Sequence, residues 1–80
     1  MTHQELYTRI RATKNFLQRE VIRNKTNQDA DTLTYRQIGV RMDMIHEAER
    51  VGIRNLGERQ NRKLVKMINE LEDMRKVSLN

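Results

Sequence analysis

Arg59, Arg62, Lys63 and Lys66 recur at i, i+3, i+4 and i+7, the densest grouping of directed charge in the sequence. On a helix this spacing confines the four cations to an arc of about 100°, centred roughly 120° from the apolar seam that follows them. Arg50 and Arg54 stand just upstream, and across residues 50–66 only Glu58 is acidic, so this stretch carries +5. That equals the net charge of the whole chain, because +4 over residues 1–28 is offset by −3 over 29–49 and −1 over 67–80. Such a surface attracts polyanions and makes their binding steeply salt-dependent. Solvated helix cations are common, but here Glu58 is the one acid within the stretch, and in the third helix only Arg62 has it as a partner at i±4. Cations near a helix N-terminus also oppose the helix dipole. The expected contact set for nucleic acid is Arg50, Arg54, Asn55, Arg59, Arg62, Lys63 and Lys66, with DNA ahead of RNA.

Other chemistry finds little support. Asp43, His46 and Glu47 share a helical face, yet one imidazole and two carboxylates without further ligands read as a solvated polar face, and no metal site is expected. His3 is remote in sequence. There is no glycine-rich phosphate loop, the only serine is Ser78, and the carboxylate pairs Glu47/Glu49 and Glu70/Asp73 show no sign of burial. Neither enzymatic activity, nor a cofactor, nor a small-molecule substrate is expected.

The elements that must position the charge are helical. Eighty residues suit a single domain, spanning 1–80, and zero cysteines leave apolar packing to hold it. Hydrophobic residues make up 36% and charged residues 34%; the aromatics are only Tyr7, Phe16 and Tyr35, and proline is absent. This composition fits charged helices around a thin aliphatic core. The start of the sequence, Met1-Thr2-His3-Gln4-Glu5, is polar, and no apolar run approaches a signal peptide or a membrane span. A cytoplasmic location is the expectation.

Thr2–Glu5 forms a capping box for a first helix over about 3–23, whose stripe is Leu6, Ile10, Thr13, Leu17 and Val21 with Phe16 beside it. Asn24–Thr32 reads as a polar loop. Thr34–Gln37 is a second capping box, for a helix over about 35–51. This helix is apolar on two sides: Ile38, Met42 and Ile45 form one line, and Val40, Met44, Ala48 and Val51 the other. It should therefore have two helical neighbours. Gly52 followed by Ile53 predicts a helix stop with glycine in the left-handed region, and Asn55–Glu58 a cap for a third helix over about 56–77. The alternative is one continuous helix from Thr34 onward in a dimer. Leu64, Met67, Ile68, Leu71 and Met74 form a near-heptad seam, which together with Met44 is a candidate dimer or helix interface. Core filling is favoured for Met42 and Met67, and an intermolecular seam for Met44 and Met74. The fold class expected is a small all-α, three-helix domain.

Two segments resemble parts of a helix-turn-helix. Ala48 to Asn55 is similar to its turn, with a small residue four before Gly52 and an aliphatic just after it. That resemblance implies a recognition helix carrying Arg54, Asn55, Glu58, Arg59 and Arg62 toward bases or phosphates. Glu47, Glu58 and Asn61 stand where the pattern has apolar residues. Tyr35-Arg36-Gln37-Ile38-Gly39, then Met42-Asp43-Met44, looks like the opening of the helix-turn-helix in the promoter-reading region of bacterial sigma factors, over about a quarter of the chain. Glu49 departs from that pattern at a core position.

The functional expectation is a nucleic-acid-binding regulatory protein, acting in transcription as a homodimer. The alternative is an interaction module, such as an inhibitor, adaptor or assembly factor, docking on an acidic protein. Its composition is like that of many phage and mobile-element proteins, an analogy only. Membrane-surface binding by the amphipathic first helix ranks last, because a chain this short needs the same stripe for its core.

Overall fold

Thr2 opens the first helix: its hydroxyl accepts a hydrogen bond from the Glu5 backbone N–H at 3.1 Å. In the computed structural model, which describes residues 2–26 and 33–78 with side chains to Lys76, three helices follow the apolar periodicity. They are α1 (His3–Thr26), α2 (Tyr35–Val51) and α3 (Glu58–Ser78), with a short 3-10 turn at Ile53–Asn55 before α3. The architecture is all-α, and each helix gives its apolar face to one shared core.

Along α1 the expected stripe is buried at Leu6, Ile10, Thr13, Phe16 and Leu17. Thr13 tolerates full burial because its hydroxyl donates to the Arg9 carbonyl at 2.7 Å. The helix runs one turn past Arg23. Residues Asn24–Thr26, expected in the loop, are helical, with the Thr26 hydroxyl donating to the Ile22 carbonyl and Arg23 and Lys25 suiting the C-terminal dipole. The rest of that expected loop, 27–32, lies outside the described residues.

Glu20 is the departure from the apolar pattern, only 1% exposed. Its carboxylate pairs with Arg23 at 2.9 Å and lies 3.5 Å from the Leu33 N–H, which donates to it. The Asn24 amide donates to the Leu33 carbonyl at 2.7 Å. Two side chains of α1 thus engage both backbone groups of Leu33, whose own side chain is buried, and fix where the chain enters α2.

The α2 capping box forms in full: the Thr34 hydroxyl accepts from the Gln37 N–H, and the Gln37 side chain accepts from the Thr34 N–H. Ile38, Ile45 and Ala48 are buried, with Met42 and Met44 packed beside them. Since α2 contacts both α1 and α3, the two neighbours its double apolar face requires belong to its own chain. Val40 alone of these positions stays more than half exposed.

Helices α2 and α3 are separate, so the continuous-rod alternative fails within this chain. Gly52 ends α2 with φ +97° and ψ 127°, a positive φ as expected but with an extended ψ rather than the left-handed helical one. The Gly52 N–H donates to the Ala48 carbonyl, and Ile53 folds back into the core. Asn55 does not cap α3. It sits in the 3-10 turn and its amide donates to the Val51 carbonyl at 3.2 Å, closing α2 instead. The Gly57 carbonyl accepts the first bond of α3, from the Asn61 N–H, so the helix begins at Glu58 rather than near residue 56. Leu64, Met67, Ile68 and Leu71 are all buried in the chain's own core, and Met74 packs against it. Of the two roles offered for the seam, these four residues fill the intramolecular one.

Arg9 ties α1 to α3, gripping both Glu72 carboxylate oxygens and the Asn69 side-chain oxygen. Its guanidinium holds the Glu72 carboxyl below the usual range. A group depressed in the folded state contributes stability above its unfolded pKa, about 4.3, and loses it as pH falls through the lower folded value. Thermal denaturation followed from pH 6 downward should therefore show a drop below about pH 4 that Glu72→Gln reduces. Two glycines should respond oppositely to alanine. Gly39→Ala, with nothing within 4 Å of the added carbon and a helical backbone, should stabilise by up to about 1 kcal/mol. Gly52→Ala forces a side chain into a positive φ, 3.1 Å from the Asn55 amide nitrogen, and should cost about 1 kcal/mol or more in urea titrations.

Candidate nucleic-acid interface

The first three turns of α3 carry the cationic arc because the core claims the other side of the same helix. Leu64, Met67, Ile68 and Leu71 face inward, while Arg59, Arg62, Lys63 and Lys66 are all exposed. Arg50 on the last turn of α2, and Arg54 and Asn55 on the 3-10 turn, are exposed as well. All seven residues singled out by charge and spacing therefore reach solvent, between the end of α2 and the third turn of α3.

They are not equivalent. Arg62 pairs with Glu58 one turn back, both side chains more than three-quarters exposed. Arg50 pairs bidentately with Glu47, a partner at i−3 just outside the basic stretch. The Arg50 hydrogen bonds draw the Glu47 carboxyl below its ordinary range, outweighing the opposing effect of desolvation. Exposed pairs of this kind contribute little and exchange readily. Arg54, Arg59, Lys63 and Lys66 have no acidic partner among the described residues. Asn55 is partly committed, since its amide serves the end of α2. With α3 beginning at Glu58, only Arg59 of the four helix cations lies in the first turn, where Glu58 supplies a favourable charge.

The helix-turn-helix registers fare differently. The sigma-like register requires a turn soon after Met42–Met44, but α2 is unbroken from Tyr35 to Val51, so it is not realised. The later register does place a break at Gly52 with Ile53 buried. Its connection spans residues 52–57 and includes a 3-10 turn, longer than the three or four residues of that motif. Glu58 and Asn61 are exposed, as their charge and polarity require.

Asp43, His46 and Glu47 are exposed on α2, and the Glu47 carboxylate is engaged by Arg50. Beside the cationic surface, an apolar dent of about 110 Å³ lies between α2 and α3, lined by Met44, Ala48, Leu56 and Leu64 together with Glu47, Gln60 and Lys63. Across the 3-10 turn, a larger groove of about 410 Å³ separates α1 from the end of α2 and includes Tyr7, Arg11 and Lys14. Charge spacing along α3 gives no sign of this groove. Only a cross-helix arrangement brings Glu49 and Ile53 opposite α1, which a one-dimensional pattern does not specify.

What the described residues define is an all-α three-helix domain with exposed cations along the outer side of α3. No family model matches it, and neither the curated proteins nor the solved structures compared with it give a match. No helix among the described residues is long and apolar enough to cross a membrane.

Because these cations are solvated and remote from the core, neutralising them should leave folding intact. The fourfold variant Arg59→Gln, Arg62→Gln, Lys63→Gln, Lys66→Gln should unfold within about 0.5 kcal/mol of the parent chain in urea, as read by circular dichroism. A collapse of stability would show that the arc supports the fold.

Proposed function

We propose that this chain is a small nucleic-acid-binding regulatory protein that holds phosphates on the surface formed by Arg50, Arg54, Arg59, Arg62, Lys63 and Lys66. The observation that carries the reading is the set Arg54, Arg59, Lys63 and Lys66: exposed and without acidic partners among the described residues, Arg54 on the 3-10 turn and the other three on the side of α3 away from the core. Uncompensated cations on a rigid helix suit a polyanion, whose condensed counterions are released on binding. The guanidinium forks of Arg54 and Arg59 also suit bidentate phosphate contact. Exposed Glu58 and Glu47 are weak competitors, because the pairs they form are solvated.

A second reading draws on the apolar dent beside Lys63. An acidic protein presenting one apolar side chain would find cations and a small hydrophobic depression side by side.

Fluorescence anisotropy with random-sequence DNA at about 50 and 200 mM salt tests the first reading. Four phosphate contacts give a slope near −3.6 in log K against log salt, a loss of about 10²-fold across that range. The fourfold Gln variant should abolish binding at the higher salt and flatten the slope. Absence of binding at the lower salt would exclude the reading and leave the protein-docking one.

A further inference from the structure

We infer that the groove between α1 and the α2–3-10 corner receives an unpaired nucleobase of a strand whose phosphates lie on the adjoining cationic surface; this rests on the nucleic-acid reading above. The base of the groove is apolar, formed by Ile10 and Ile53, both nearly fully buried. Its α1 wall is a single line, Tyr7, Arg11, Lys14 and Gln18 at i, i+4, i+7 and i+11, with Asn15 alongside. Tyr7 is 48% exposed, a large aromatic surface that the core does not use. Opposite it stands Glu49, whose carboxylate receives the Lys14 ammonium at 3.2 Å.

The chemistry of this lining differs from that of the α3 surface. Arg11, Lys14 and Glu49 leave it only one positive charge in excess, so it is a poor place for phosphate. The Asn15 and Gln18 amides each offer donors and an acceptor, and Glu49 offers acceptors, which are the groups that read base edges. An apolar base, an exposed ring and an Arg one turn from it suit a planar group that stacks. The volume, about 410 Å³, falls within the range of small-ligand sites. Continuity with the phosphate surface is covalent: Glu49 precedes Arg50 and Ile53 precedes Arg54, so two groove residues are each followed by an exposed arginine. A duplex keeps its bases stacked and paired, so a single strand offers a base to such a groove at little cost, whereas a duplex must first unstack and unpair one.

The test compares a mixed-sequence single-stranded oligonucleotide with a duplex of the same length, using the full chain at about 50 mM salt. Tyr7→Ala should weaken single-strand binding roughly tenfold, with duplex binding and the salt slope unchanged. Tyr7→Phe, which keeps the ring, should bind as the parent does. Asn15→Ala with Gln18→Ala, both at exposed positions, should also weaken the single strand alone. With no tryptophan in the chain, tyrosine emission should be quenched by the single strand and not by the duplex. If all groove variants bind the single strand like the parent while the fourfold Gln variant fails on both probes, the groove inference falls and the phosphate surface stands. Equal losses on strand and duplex also overturn it, since that would make the groove one more general contact. If neither probe binds the parent chain, both readings fall together.

Discussion

Leu17, Ile45 and Ile68 are each fully excluded from water, one from each helix, and the rest of the molecule is arranged around the requirement that these three stripes meet. A chain with few aromatics has little apolar area in reserve, so every helix must turn its one good face to the same centre. The consequence is a sharp division within α3. Leu64, Met67, Ile68 and Leu71 occupy the inner side, and the outer side is left to Arg59, Arg62, Lys63 and Lys66. These four cations are thus held by the same helix that completes the core, while Arg50 and Arg54 stand on the corner that precedes it.

Among the described residues the two most deeply buried polar side chains, Thr13 and Glu20, have their partners built in. Glu20 lies on the buried face of α1 and would be costly there alone, yet Arg23 and the Leu33 N–H reach it, and Asn24 takes the Leu33 carbonyl. This arrangement locates the start of α2 from the end of α1, across residues 27–32. Nearer the start of α1, Arg9 spans to Asn69 and Glu72 and fixes the pairing with α3. The two features sit at different heights of α1, one for each neighbouring helix.

Much of this was legible from residue order. Apolar periodicity located the three helices, and Thr34 with Gln37 marked the start of α2 to the residue, because a capping box is a local device that needs only four positions. Gly52 was legible as a break for the same reason. What escaped were features decided across the fold. Glu20 looks like any surface carboxylate until Leu33 arrives beside it. Asn55 reads as a cap for α3, but its amide bonds back to the end of α2, and α3 starts two residues later in consequence. The Leu64–Leu71 seam carries the same spacing whether its partner is a second copy or the chain's own helices, and burial assigns it to the latter. The cationic residues were legible from charge and helical spacing, whereas the groove beside Tyr7 depends on an α1–α2 juxtaposition that no local spacing encodes.

The position of Asn55 has one more consequence. Its amide nitrogen bonds the Val51 carbonyl and also stands against the space where a Gly52 side chain would be. A partner that competed for the N–H given to Val51 would have to draw it from the end of α2, giving back part of the stabilisation that closes the helix, whereas the second N–H and the Oδ1 of the amide carry no such cost. The neighbouring Arg54 carries no such duty among the described residues, so its substitution leaves the bond that closes α2 intact.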